Sequence, residues 1–249
     1  MKKPYDDIVV IKADARRWMQ ELRTSDLCGN IDCVITDPPY WTLNKWRNVG
    51  TTTRLGGHRD ADKQDGDKWF DTIDQNDLWD FVCALEDVMA KNSHAYIMCD
   101  HEVMPMILNW VRESDYLNFR YSKPLVWDKL DAGMGYHWRA RHEYIVMLEK
   151  GKRKLNNLSL PDVLGFKRVQ GRGKYPTEKP LALIETLLLN STNEGETVLD
   201  PFCGSGVVGE AAKRNNRNAI LVDVSEKAVE WTRTRIDSIQ PDMLAGAEQ

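Results

Sequence analysis

Short apolar runs of Val, Ile, Leu and Tyr recur along the chain with helical patterns between them, and this alternation restricts the fold more than any other feature. Strand-like runs occupy Asp7–Lys12, Ile31–Thr36, Ala95–Cys99, Leu125–Asp128, Glu143–Leu148, Thr197–Leu199 and Asn218–Val222. They are continuous rather than alternating, as expected of strands covered on both faces. Between them, Ala15, Trp18, Met19 and Leu22 fall at i, i+3, i+4 and i+7. Leu78, Val82, Leu85 and Met89 trace a second helical face, and Leu181, Ile184 and Leu188 a third. Ser225 before Glu226 marks the capped start of a last helix carrying Trp231. The pattern predicts an α/β, doubly wound, mostly parallel seven-stranded sheet with helices on both faces. At 249 residues the chain fits one domain, 1–249, with a core large enough to need no disulfide or metal staple.

Charged residues make up 29% of the chain and mean hydropathy is −0.53, with no apolar run long enough to span a bilayer. The opening MKKPYDDIVV has no apolar stretch of signal-peptide length, so a cytoplasmic location is expected and no membrane partner. The five cysteines form no C-x-x-C pair and the five histidines show no metal-ligand spacing; a reducing compartment and no metal site follow. Net charge is −4, which by itself argues against a polyanionic partner. Eight basic residues against the single acid Asp162 nevertheless crowd Lys150–Lys174. A solvated surface loop is the simplest account of them. A second interruption, 41–77, is polar and rich in Gly, Thr and Asp; a loop of that length in a compact domain is functional or mobile.

Two motifs carry chemistry. Asp37-Pro38-Pro39-Tyr40 follows the apolar run Ile31–Ile35, and ligands of open α/β sheets bind beyond the carboxyl ends of strands. The prolines stiffen the turn and leave its carbonyls free. A carboxylate, carbonyl acceptors and an aromatic face together suit a planar substrate bearing an amino group; a strand-ending turn with a packed tyrosine is the alternative. Asp200-Pro201-Phe202-Cys203-Gly204-Ser205-Gly206 also follows a strand and opens a helix. Gly204 and Gly206 allow close approach of backbone to a ligand at a helix N-terminus, and Asp223 ends the next strand, where a carboxylate can bind ribose hydroxyls. Gly204-x-Gly206-x-x-Gly209 also satisfies a dinucleotide fingerprint, which would make the chain an NAD-dependent oxidoreductase. Too little chain follows it for the rest of a dinucleotide domain, so a nucleoside cofactor without a pyrophosphate is the better reading.

Together the motifs resemble the S-adenosylmethionine-dependent DNA amino-methyltransferases. The order, Asp-Pro-Pro-Tyr early and the glycine loop late, is similar to the permuted β class. The resemblance implies a Rossmann-like methyltransferase fold that methylates the exocyclic nitrogen of a flipped-out base, with Asp37, Pro38, Pro39 and Tyr40 catalytic. It implies S-adenosylmethionine binding by Asp200, Pro201, Phe202, Gly204, Gly206 and Asp223. Ala13-Asp14 looks like the family's Gly-Asp, whose acid contacts the cofactor adenine, although Ala13 departs from the glycine. Thr177-Glu178-Lys179-Pro180 resembles the motif beside the cofactor's methionine end, so Thr177 and Lys179 join the cofactor set. Val126-Trp127-Asp128-Lys129 and His142-Glu143-Tyr144 look like the intervening strands. Asp rather than Ser before Pro-Pro favours adenine N6; cytosine N4 is the alternative. Methylation of RNA or protein glutamine fits less well, because those relatives more often carry Asn there, and a catalytically dead DNA-binding relative would not need Asp37 and Tyr40.

By the same resemblance the partner is DNA, with a homodimer and a cognate restriction endonuclease as further partners and a prokaryotic or phage origin. The 41–77 loop would order over extruded DNA, with Lys45, Arg47, Arg54 and Arg59 on phosphates. Residues 150–175 would form a small target-recognition region, with Lys152, Arg153, Lys154, Lys167, Arg168 and Arg172 supplying affinity without sequence information. The nine tryptophans are read as mostly core, with Trp41 a candidate for lining the base pocket.

Overall fold

The computed structural model describes residues 8–43, 72–133, 137–169, 175 and 177–239. The elements run β1 (Ile8–Lys12), α1 (Ala15–Leu22), β2 (Ile31–Thr36), α2 (Gln75–Val88), β3 (Met89–Cys99), α3 (Val103–Glu113), β4 (Phe119–Asp128) and β5 (His142–Lys150). Then come β6 (Val163–Gly165), α4 (Leu181–Ser191), β7 (Thr197–Asp200), α5 (Val207–Arg214), β8 (Asn218–Asp223) and α6 (Glu226–Asp237). The sheet order is β1-β8-β7-β2-β3-β5-β4-β6. β5 pairs antiparallel with β3 and β4, and every other pairing is parallel. All seven expected strands form. The sheet has eight strands rather than seven, because three residues inside the basic segment, Val163–Gly165, add β6 beside β4.

The continuous apolar runs are explained by the two layers they separate. On β3, Ala95, Ile97 and Cys99 face one core with Met19, Leu78, Phe81, Leu85 and Ile107 of α1, α2 and α3. Tyr96 and Met98 face the other, with Leu183, Ile184, Leu187 and Val208 of α4 and α5. β2 divides in the same way, Val34 to the first layer and Cys33 and Ile35 to the second; an irregularity between Ile31 and Cys33 lets Ile31 join Val34. Three of the helices start at a capping side chain. Asp14 accepts from Arg16 N, Asp74 forms a capping box with Asp77, and Ser225 accepts from Ala228 N. The polar stretch therefore ends earlier than 77: Ile73 is buried and bridges to Tyr40, and α2 is under way at Gln75. α3 was not legible from spacing; Asp100 begins it by accepting from the backbone N–H groups of Glu102 and Val103, 2.9 Å each.

The five cysteines are free. Among the described residues no helix is long and apolar enough to cross a membrane.

An aromatic contact joins the first layer to the glycine loop. Phe81 of α2 is buried and meets Phe202 edge-on, ring centroids 5.2 Å apart. Phe81→Ala should cost about 3–5 kcal/mol in urea unfolding, the usual range for emptying a buried aromatic seat. The same variant should loosen the loop that carries Phe202, read as weaker cofactor binding by calorimetry.

Candidate active site

The carboxyl ends of β1, β2, β7 and β8, with the start of the reversed strand β5, border one cavity of about 610 Å³. The loops after β2 and β7 meet there because their strands are neighbours in the sheet. Thr36 Oγ1 donates to Asp200 Oδ1 at 2.9 Å, and Phe202 N donates to the same oxygen at 3.1 Å. Asp200 is buried, and burial pushes its carboxyl up to about 7, with these two hydrogen bonds opposing in part. Its side chain thus braces one motif against the other while lining the cavity.

Asp37, Pro38, Pro39 and Tyr40 all line the cavity. Pro38 O accepts from Tyr40 N at 2.9 Å and Pro39 O from Ile73 N at 2.8 Å. A carbonyl has two lone pairs, so each oxygen can take a second donor. Tyr40 sits in a buried seat, and burial raises its phenol above the ordinary value. Trp41 packs against the first core layer rather than lining the cavity.

Opposite these residues, the chain from Pro201 to Ser205 curls around Asp223. Asp223 accepts from Gly204 N at 3.0 Å and from Ser225 N at 2.8 Å, and burial raises its carboxyl. Gly206 has φ +75 and caps α5; a Cβ there would meet Thr232 at 2.8 Å. Glycine is required on both counts, conformation and space. Thr232 Oγ1 in turn donates to Gly204 O at 3.1 Å. Gly209 lies within α5, where a Cβ would meet Leu221 at 2.3 Å, so its role is close helix–strand packing.

The remaining expected residues divide. Asp14 lines the cavity, but both its oxygens are engaged by Arg16, at 3.0 and 2.7 Å. Thr177 lines it with φ 63, a conformation strained for a β-branched residue. Lys179 lines the cavity as well, and it is paired with the catalytic turn. Its ammonium contacts Asp37 Oδ2 and lies 3.7 Å from Glu143 Oε2, while Lys129 reaches Glu143 Oε1 at 2.6 Å. Burial acts to lower Lys179, but Asp37 and Glu143 outweigh it and hold the ammonium raised. Burial likewise acts to raise Glu143, but Lys179 and Lys129 hold it below the ordinary value. Asp37 ends above its ordinary value, since burial prevails over Lys179.

The described residues of the basic segment lie at two ends of the sheet. β5 runs against its neighbours, so Lys150 pairs with Ser93 near the start of β3, and Cys99 with Tyr144 near the cavity end. Lys152, Arg153 and Lys154 therefore emerge at the far end of the sheet, about 20 Å from the cavity end at 3.3 Å per residue. Arg153 is committed there to Glu196 and also donates to Asn92 O. Lys167 and Arg168 follow β6 on the cavity side; both are exposed, and Arg168 lines the cavity. Lys45, Arg47, Arg54, Arg59 and Arg172 lie outside the described residues.

Sequence reasoning missed several contributors. Tyr175 packs against Gly204 and stacks edge-on with Trp231 at 5.7 Å. Trp127 donates to Phe166 O at 2.8 Å and lies under Lys129, 5.4 Å from the ring centroid. Arg235 ties Glu178, Glu210 and Ser205 O together at 2.5, 2.7 and 2.7 Å, holding the glycine loop to α6. Trp138, on the β4–β5 connection, is fully exposed, unlike the core tryptophans.

Comparison with known proteins agrees with this geometry. Residues 31–234 match the DNA methylase family model, and the chain belongs to that family. The nicotinamide reading of Gly204–Gly209 is set aside. The chain is 26% identical to the type II methyltransferase M2.DpnII of Streptococcus pneumoniae, over 96% of this chain and 94% of that one. It is 28% identical to the type II methyltransferase M.HpaI of Haemophilus parainfluenzae, over 84% and 69%. Among solved structures it resembles M1.HpyAVI in complex with SAM, with TM-score 0.68, 22% identity and coverage of 92% and 99%. It also resembles the PvuII DNA methyltransferase, described as cytosine-N4-specific, with TM-score 0.67, 13% identity and coverage of 98% and 93%.

The raised Asp200 carboxyl generates a pH prediction. The folded protein holds this proton to a higher pH than the unfolded chain does. The resulting stabilisation is full below about 4 and is lost as pH rises through about 7. Between those limits wild-type stability should fall by roughly 3–4 kcal/mol relative to Asp200→Asn. Urea unfolding of both proteins at pH 4.5 and 7.5 (about the edges of that window) checks it; parallel pH dependences would mean that Asp200 ionises freely in the fold.

Proposed function

We propose that this protein transfers the methyl group of S-adenosylmethionine to the N6 amine of adenine in DNA. The observation that carries the reading is the Thr36–Asp200 hydrogen bond, which sets Asp37 and the Gly204–Gly206 loop on one cavity. That cavity suits the cofactor: Gly206 cannot bear a side chain, Asp223 keeps acceptor capacity on both oxygens, and Tyr175 gives an aromatic wall. Gly204, Gly206, Tyr175, Asp223 and Asp14 would hold its nucleoside, and Thr177 and the Phe202 backbone would border its amino-acid end. When bound, S-adenosylmethionine supplies an electrophilic methyl on a sulfonium.

The nitrogen of adenine is a poor nucleophile because its lone pair is delocalised into the ring. Asp37 Oδ and Pro38 O accept its two N–H hydrogens and localise electron density on nitrogen. Tyr40 receives the face of the ring, and the stiff Pro38-Pro39 turn fixes the attack direction. As the N–C bond forms, the methyl–sulfur bond would break with its electron pair going to sulfur to leave a neutral thioether, and the nitrogen would carry a surplus proton. Asp37, raised by burial, is the acceptor beside it. Base extrusion brings the amine to this depth. Lys167 and Arg168 would hold phosphates at the cavity side.

The fold alone accommodates either amine, since the cytosine-N4-specific PvuII enzyme shares it. Adenine is favoured by Asp37 itself, through the preference for Asp over Ser before Pro-Pro. The type II designation of the relatives supports a modifying role beside a restriction endonuclease.

Incubation with unmethylated duplex DNA and S-adenosylmethionine, followed by digestion and mass spectrometry of nucleosides, tests the reading. N6-methyladenine is expected. N4-methylcytosine would replace the base and keep the mechanism, and neither product would refute methyl transfer. Asp37→Ala should abolish the product while the protein still folds, because Glu143 stays 3.7 Å from the Lys179 ammonium and keeps it compensated.

A further inference from the structure

The chain Lys129–Glu143–Lys179–Asp37 alternates cation and carboxylate from the rim of the cavity to the catalytic turn. Its order raises a conflict. Lys179, a residue only 8% exposed, holds its ammonium on Asp37 Oδ2 and so draws charge from the carboxylate that should receive an amino hydrogen through its remaining lone pairs. The conflict has a local solution, because Glu143 Oε2 stands 3.7 Å from that same nitrogen. A shift of about 1 Å brings the pair to normal charge-assisted hydrogen-bond length.

We infer that Lys179 is a displaceable guard on Asp37 and that Glu143 is the seat to which it withdraws when the base amine enters. This rests on the methyl-transfer reading and extends it with two positioning residues. Burial makes the arrangement necessary. An ammonium taken from Asp37 with no second carboxylate would be left uncompensated in a poorly hydrated site. Glu143 comes from the one reversed strand, whose first residues therefore lie at the cavity end. Lys129, on the far side of Glu143, holds that carboxylate ionised and stationary while its partner moves.

The groups facing Asp37 are Lys179, Glu143, Lys129, Asp200, Cys99 and the Tyr40 hydroxyl. Lys179 is the one cation among the described residues in contact with Asp37, so its removal should make the carboxylate harder to ionise.

Three variants, Glu143→Gln, Lys179→Met and the double variant, test this by duplex methylation kinetics and cofactor calorimetry. Glu143→Gln withdraws the second seat and leaves Lys179 on Asp37. It should lower kcat/KM by roughly tenfold or more, within the coupling expected of contacting charges. Cofactor affinity of Glu143→Gln should stay within about twofold, since Glu143 is not assigned to the cofactor. Adding Lys179→Met should recover at least about threefold of that loss, because the guard is then absent. A merely structural pair would give a double variant as poor as or worse than Glu143→Gln, and that result overturns the inference. Should Glu143→Gln fold poorly, Lys179→Met alone decides. The acid limb of its pH–rate profile should move to higher pH, and an unchanged limb or complete inactivity overturns the guard. Wild-type protein that methylates no base refutes the proposed function itself, which separates that failure from this one.

Discussion

The hydrogen bond from Thr36 to Asp200 spans 164 residues of sequence, and the rest of the site is arranged around it. β2 and β7 are adjacent parallel strands, so the turns that leave them start side by side. Parallel pairing alone would leave those turns free to diverge. The shared oxygen of Asp200, held by Thr36 and by the Phe202 backbone, makes the two loops parts of one wall. Desolvation makes the contact specific, since a buried carboxyl without its donors would be costly. Phe202 continues the constraint into the first core layer through Phe81, and Thr232 and Arg235 continue it into α6. The cavity is therefore held from both faces of the sheet.

Electrostatics divides the cavity into two regions. On the glycine-loop side, carboxylates are satisfied by backbone N–H groups, as Asp223 is by Gly204 and Ser225. On the Asp37 side they are satisfied by lysines. A rigid backbone cradle suits a cofactor bound in the same pose at each turnover. Side-chain cations can move by rotamer change, which suits a substrate that must come and go. The difference in partner type follows from the elements: loops rich in glycine offer N–H groups, whereas the chain leaving β4 and the chain entering α4 offer Lys129 and Lys179.

Much of this was legible in the sequence because buried parallel strands leave a strong signal. Every expected strand formed, and the two motifs fell at strand ends as their chemistry requires. β6 was invisible because three residues cannot show a period, and it forms only because β4 offers an open edge. The basic run was counted along the chain, whereas the reversal of β5 sends Lys152 to Lys154 to one end of the sheet and Lys167 and Arg168 to the other. Lys179 was placed by its motif with the cofactor. Its contact with Asp37 depends on strand and helix placement 142 residues apart, which no local spacing encodes. Arg235 and Tyr175 were missed for the same reason.

The sheet order has a consequence for assembly during synthesis. β1 and β2 are joined by α1 alone, yet β8 and β7 lie between them in the finished sheet. At usual elongation rates the partners of Thr36 leave the ribosome roughly 10–30 s after it. The block β2-β3-β5-β4 is contiguous and can pair as it emerges, while β1 has no neighbour until β8 arrives. The last two strands must enter a gap two strands wide, and long-range parallel pairing of this kind is slow. The acceptor half of the cavity thus precedes the glycine loop, and only a chain that has closed the gap can hold a methyl donor.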